Sequence, residues 1–102
     1  MVNIIIYTTE EKLNHKKGLK KGEEDYTHFF WELPSLPKKL GDSERIYFAT
    51  KGFIKGYFII EDLEDYHGCK IEWNPKTWKD IKPIPTKSFQ GFKYADKVEG
   101  LE

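Results

Sequence analysis

The sequence predicts a mainly β domain: one small barrel of five or six short strands with one or two short helices. Two observations carry this prediction. Residues 45–61 have the pattern of a β-hairpin, because two runs rich in aromatic and β-branched residues flank the pair Lys51-Gly52. In addition, turn-forming residues interrupt the chain about every ten residues, which is typical of small β-barrels rather than of alternating strands and helices.

The hairpin has two possible registers. A two-residue turn at Lys51-Gly52 would set Thr50 opposite Phe53. One face would then hold Tyr47, Ala49, Ile54, Phe58 and Ile60, and the other Ile46, Phe48, Tyr57 and Ile59. A three-residue turn with a glycine bulge would exchange the faces of one strand. Both faces are apolar in either case, so we expect the hairpin inside a covered sheet, with Gly56 at a bulge, a bend or a close backbone approach.

The N-terminal third predicts two strands separated by a short helix. Residues 2–7 form a β-branched run and predict a buried strand. Residues 8–17 predict a short surface helix, with Thr8 and Glu11 as a capping box and Gly18 as the C-cap. Residues 26–33 alternate loosely and predict a second strand, with Phe29 and Trp31 on one side, or alternatively a helical turn. The prolines in 34–37 end regular structure before the turn at 41–43.

The C-terminal part predicts two further strands beside an irregular segment. Residues 69–73 predict a strand, and residues 74–80 a single helical turn. The prolines in 81–85 restrict that segment to an edge strand or a loop. Residues 89–95 predict the last strand. We expect residues 1–98 to form one domain and residues 99–102 a disordered tail, whose final Leu101-Glu102 looks vector-derived.

Composition excludes several classes of function. The 17 basic and 17 acidic residues balance, so the chain as a whole indicates no strongly charged partner. The single cysteine, Cys69, excludes an internal disulfide and favours a reducing cytoplasm; we expect a packed thiol rather than a nucleophile. His15, His28 and His67 show no metal-ligand spacing, and no apolar run approaches a membrane span. We therefore expect a cytoplasmic monomer without a metal or cofactor.

Two groups of motifs carry a resemblance to a known family. Gly41-Asp42 precedes a strand containing Tyr47-Phe48, and Gly52-x-Ile54-x-Gly56 follows it. Further along, Trp78 precedes residues 81–85 and 89–94, IKPIP and FQGFKY. Over residues 37–94 the chain resembles the PUA-like barrels, including the ASCH and EVE groups. The ASCH motif G-x-K-x-x-E-x-R is matched by Gly18, Lys20 and Glu23, whereas Asp25 stands where that group has arginine.

The resemblance implies binding of RNA or a modified nucleotide in a cleft of the barrel. A few ASCH-like proteins are instead amidohydrolases acting on acylated nucleosides. In this chain the enzymatic alternative would use Lys20, with Glu72 handling protons. A third alternative is a protein-interaction module that uses exposed aromatic residues such as Trp31 and Trp73. We expect the non-catalytic alternative.

The best candidate for the binding surface is residues 76–94, where lysines alternate with aromatic residues. Lysines neutralise phosphates and aromatic faces stack on bases, which is the combination that single-stranded nucleic acid needs. Gln90 offers both a donor and an acceptor to a base edge. The predicted ligand-binding residues are Lys20, Trp78, Lys82, Lys87, Gln90, Lys93 and Tyr94. Alternation leaves open whether Phe89 and Phe92 belong to this surface or to the core.

Overall fold

The structure is a computed structural model that describes residues 3–17, 29–34, 45–64, 68–98 and 100–101. Within these residues it contains one α-helix and seven strands, so the predicted mainly β class is confirmed with one strand more than expected. The elements are β1 (Ile4–Tyr7), α1 (Glu10–Lys16), β2 (Phe29–Leu33), β3 (Arg45–Thr50), β4 (Phe53–Glu64), β5 (Cys69–Trp73), β6 (Lys79–Pro85) and β7 (Phe92–Tyr94). Short 3-10 turns occupy Pro75–Thr77 and Ala95–Lys97.

All seven strands belong to one sheet that curls into a half-barrel. Its order is β2-β5-β4-β3-β1-β7, and β6 also pairs with β4. Strand β1 runs parallel to β3, whereas the other pairs are antiparallel. The twelve-residue β4 organises the sheet because β6 pairs with its first half and β5 with its second half.

The β3–β4 hairpin turns at Lys51-Gly52, as the two-residue prediction requires. Both residues have positive φ, 49° and 85°, and Thr50 pairs with Phe53. A bulge then lets Lys55 drop out of the pairing, so that Phe48 pairs with Gly56. The predicted faces of β3 are therefore right, as is that of Ile54. Beyond the bulge the predicted faces of β4 are exchanged, because one extra residue reverses the alternation.

The two faces of the sheet carry separate hydrophobic clusters. We call the face with the larger cluster the inner face and the opposite one the outer face. The inner cluster consists of Ile4, Ile6, Leu13, Phe29, Leu33, Ile46, Phe48, Phe58, Cys69, Ile71 and Trp73. The outer cluster consists of Ile5, Tyr47, Ala49, Ile54, Tyr57 and Ala95. Both faces of the hairpin are thus buried, as its two apolar faces predict.

Three other boundaries differ from the sequence predictions. Helix α1 is capped by Thr9, whose hydroxyl accepts a hydrogen bond from the Lys12 N–H at 3.2 Å, and not by Thr8. Strand β4 runs on to Glu64 through an acidic stretch, because a register shift between Ile60 and Asp62 lets both Ile60 and Leu63 pack against the inner cluster. The last strand is shorter than 89–95, since Gly91 has φ 76° just before it begins. The predicted C-cap Gly18 and the turn at 41–43 lie outside the described residues.

The C-terminal residues cross the outer face. Ala95 is buried in the outer cluster, and Val98 and Leu101 pack against it. The Leu101 N–H donates to the Val98 carbonyl at 3.4 Å. The end of this segment lies beside β6, because a Cβ built on Gly100 would contact the Ile84 side chain at 3.6 Å. Gly100 and Leu101, which the sequence predicts to lie in a tail, thus form part of the outer face.

Candidate functional site

A cleft of about 430 Å³ opens on the outer face between β6 and the C-terminal segment. Its described lining residues are Arg45, Tyr47, Tyr57, Ile81, Lys82, Pro83, Ile84, Pro85, Gly100 and Leu101. None of these described residues is acidic, and two of them are cationic. The volume lies within the range of small-molecule sites, roughly 300–1,000 Å³. The cleft therefore combines an apolar and aromatic wall with positive charge.

Arg45 is held in place by two tyrosines of the hairpin. Its Nη1 donates a hydrogen bond to the Tyr47 hydroxyl at 3.2 Å, and its Cζ lies 4.4 Å from the centroid of the Tyr57 ring. Alternation puts Arg45 and Tyr47 on one face of β3, and the register shifted by the bulge pairs Tyr47 with Tyr57. A guanidinium stacked on a ring and hydrogen-bonded in this way is preorganised, and its planar donors suit phosphate or carboxylate.

Lys82 forms the second positive charge of the cleft. It is exposed on β6 between Ile81 and Ile84, which pack against the outer cluster. Among the described strands β6 pairs with β4, with Ile84 opposite Ile54 and Lys79 opposite Tyr57. The prolines in 81–85 allowed an edge strand or a loop, and the structure has the strand. Lys82 is thus the predicted ligand-binding residue that lines this cleft.

Lys93 and Tyr94 line a separate hollow of about 510 Å³ with Phe92 and Val98. The Lys93 Nζ lies 4.7 Å from the centroid of the Phe89 ring. Tyr94 is half-buried against the inner cluster. Phe89 packs against the outer cluster and Phe92 against the inner one, so both rings contribute partly to the core. The rings of Phe89, Phe92 and Tyr94 therefore do not form a row of exposed faces on which successive bases could stack.

The remaining predicted residues lie elsewhere. Lys87 and Gln90 are exposed between β6 and β7. Trp78 is half-buried, with its ring centroid 4.9 Å from that of Phe58 and its Nε1 donating to Asp80 Oδ1 at 2.7 Å. The described lining of the Arg45–Lys82 cleft does not include Lys87, Gln90 or Trp78. Lys20 lies outside the described residues.

The enzymatic alternative depends on Glu72, which lies on the outer face of β5. Its carboxylate oxygen Oε1 forms an ion pair with Lys70 Nζ at 3.3 Å. Carboxylate oxygens of Asp62, Glu64 and Glu72 lie within 4.8 Å of one another. This part of the surface is therefore acidic, and the proposed lysine partner, Lys20, is not described.

The protein-interaction alternative predicted that Trp73 is exposed in an aromatic patch, and this prediction is wrong. This residue is 0% exposed, with its ring stacked 4.8 Å from Phe58 and its Nε1 donating to the Lys16 carbonyl at 3.2 Å. Trp31 is half-buried, 5.6 Å from Phe48. Cys69 is buried in the same cluster, which confirms a packed thiol. Both tryptophans alternate inward, so the CKIEW strand that contains Trp73 supplies core rather than surface.

Sequence reasoning missed Arg45, Tyr47 and Tyr57 as site residues. The spacing of Arg45 and Tyr47, two residues apart in a strand, is visible in the sequence and puts them on one face. The position of Tyr57 is not visible, because it depends on the bulge at Lys55.

No known protein family, curated protein or solved structure matches this chain. The likeness to PUA-like barrels therefore stays a prediction from short motifs. No α-helix among the described ranges has the length and apolar character needed to cross a lipid bilayer.

Proposed function

We propose that this protein binds RNA or a nucleotide-like ligand, without catalysis, in the cleft formed by Arg45 and Lys82. The observation that carries the proposal is the Arg45 guanidinium, stacked on Tyr57 and hydrogen-bonded to Tyr47 at the cleft wall. A preorganised guanidinium loses little conformational freedom when it binds an anion, so more of the interaction energy appears as affinity.

The rest of the cleft suits the uncharged part of a nucleotide. Ile81, Ile84 and the prolines of β6 present apolar surface on which a base can pack. The Lys82 ammonium at the rim adds a second contact for phosphate without a fixed direction. A ligand with an aromatic ring and a negative charge thus meets complementary groups on both sides.

Equilibrium binding tests the proposal with a matched pair of lysine variants. Fluorescence-labelled single-stranded RNA hexamers and the four nucleoside monophosphates are titrated at about 50 mM salt. Lys82→Gln should weaken binding several-fold, because it removes a charged contact at the cleft rim. Lys79→Gln removes the same charge from the same strand, but Lys79 is not among the described lining residues, so its affinity should stay close to that of the parent.

Absence of binding to every one of these probes at high micromolar protein would overturn the proposal. Equal losses in the two variants would also count against it, because the effect would then reflect total charge rather than the cleft. Thermal melts of both variants verify that they are folded.

A further inference from the structure

Resting on the proposed function, we infer that the cleft takes a single nucleotide carrying one or two phosphate groups, and not a continuous stretch of strand. Four observations separate these two ligands. They concern the number of cations, the placement of the aromatic rings, the walls of the cleft and the charge of the neighbouring surface.

The described lining of the cleft contains two cations, Arg45 and Lys82. Lys93 lies in a different hollow, and Lys87 lies outside the cleft lining. A strand that contacts just these two described cations would release about two counterions, giving a salt slope of ~1.4 at ~0.7 per contact. That charge matches one terminal phosphate group better than a row of phosphodiesters.

A platform for successive bases is not present among the described aromatic residues. Strand binding without sequence preference needs several exposed ring faces along one path. Here Trp78, Phe92 and Tyr94 pack against the inner cluster. Phe30 and Phe53 are the large aromatic residues with 40% exposure in the described chain, and neither lines the cleft.

The walls of the cleft suit one base. Its described lining includes four apolar residues of β6, Ile81, Pro83, Ile84 and Pro85, and Leu101 of the C-terminal segment. Apolar side chains of this kind offer packing surface to one base. The cleft volume of about 430 Å³ lies at the small-ligand end of binding sites.

The neighbouring part of the outer face repels a strand. On the adjoining strands, Glu72 pairs with Asp62, and Lys70 stands between Glu32 and Glu64. Four carboxylates thus surround one lysine on this part of the outer face, so the phosphates of a strand that extends over it meet like charge.

The test compares four probes by isothermal titration: a nucleoside, its 5′-monophosphate, and a hexamer with and without a 5′-phosphate. The monophosphate should bind at least tenfold more tightly than the nucleoside. Arg45→Gln and Lys82→Gln should each reduce this phosphate preference, whereas Lys79→Gln should retain it. If the nucleotide comes from the end of a strand, the phosphorylated hexamer binds as the monophosphate does. If the ligand is free nucleotide, both hexamers bind more weakly.

Two results would overturn the inference. The first is equal affinity for nucleoside and monophosphate. The second is tight binding of both hexamers with a salt slope of three or more, which would leave the proposed function standing and remove only the single-nucleotide site. Failure of all probes would remove both. Because Arg45 packs on Tyr57, a melting curve accompanies its variant, and Lys82→Gln tests the same point without touching the core.

Discussion

Eleven described residues are buried in the inner cluster, whereas six are buried in the outer one. The inner cluster interlocks large rings: Phe48, Phe58 and Trp73 have centroids 4.8–5.6 Å apart. The outer cluster is only partly covered, by β6 and the C-terminal segment, and the Arg45–Lys82 cleft lies in that cover. The inner cluster therefore contributes mainly to stability, whereas the partly covered outer face has space for a ligand, because a fully packed face leaves no room for one.

The outer face itself divides into two halves of opposite charge. The half formed by β3 and β6 presents Arg45 and Lys82, and the half formed by β2 and β5 presents Glu32 and Glu72. A chain with 17 basic and 17 acidic residues is neutral overall, yet its surface is divided in this way. Net charge therefore says little here about which ligand binds and where.

The largest expected effect is at the centre of the inner cluster, measured against an exposed residue of β4 that belongs to neither cluster. Trp73→Ala should lower the free energy of unfolding by about 3–5 kcal/mol, because it empties the centre of the inner cluster and removes the hydrogen bond to the Lys16 carbonyl. Ile59→Ala, at a side chain that is 40% exposed, should cost less than about 1 kcal/mol. Urea unfolding of both variants measures the difference. Similar midpoints would contradict the tight packing that the comparison assigns to the inner cluster.

A smaller effect is expected at Gly56, where β6 passes closely over β4. A Cβ built on Gly56 would collide with the Lys79 carbonyl oxygen and lie 2.7 Å from Cζ2 of Trp78. Gly56→Val should therefore cost about 2–3 kcal/mol by overpacking, and Gly56→Ala less. Glu61→Val places the same side chain at an exposed position of the same strand and is the control. A Gly56→Val melt that matches this control would mean that β6 moves away without cost.

Local patterns allowed much of the fold to be predicted, but the site needed long-range geometry. The hairpin at Lys51-Gly52 and the buried β1 follow from glycine and β-branched residues at neighbouring positions, and the prolines of β6 limit it to an edge strand or a loop. The Arg45–Tyr57 stack does not, since a bulge of one residue at Lys55 decides which face Tyr57 occupies. For Trp78 and Tyr94, composition suggested a binding surface, and the sheet turns both rings toward the core.

The smallest expected effect concerns Glu10 at the start of α1, which meets the fully buried Thr50 at the end of β3. The Thr50 hydroxyl donates to Glu10 Oε1, and this hydrogen bond lowers the pKa of Glu10, against desolvation and with help from nearby Lys55 and Lys51. A lowered folded-state pKa stabilises the protein above the unfolded value of about 4.3 and loses that contribution as pH falls through the folded value.

Glu10→Gln should therefore destabilise the fold at pH 7 by less than about 1 kcal/mol, because water screens a carboxylate this near the surface. The difference from the parent should shrink as pH falls below the unfolded value of about 4.3, because the parent's carboxylate then becomes increasingly protonated. Glu11→Gln is the matched control: it removes the same charge from the same helical turn, so it shares any effect of the helix dipole but not the contact with Thr50. Unfolding of the three proteins at several pH values between 3 and 7 measures both effects. If Glu11→Gln follows the same pH curve as Glu10→Gln, the helix dipole accounts for the stabilisation. If Glu10→Gln alone converges on the parent at low pH, the hydrogen bond from Thr50 fastens α1 to the end of β3.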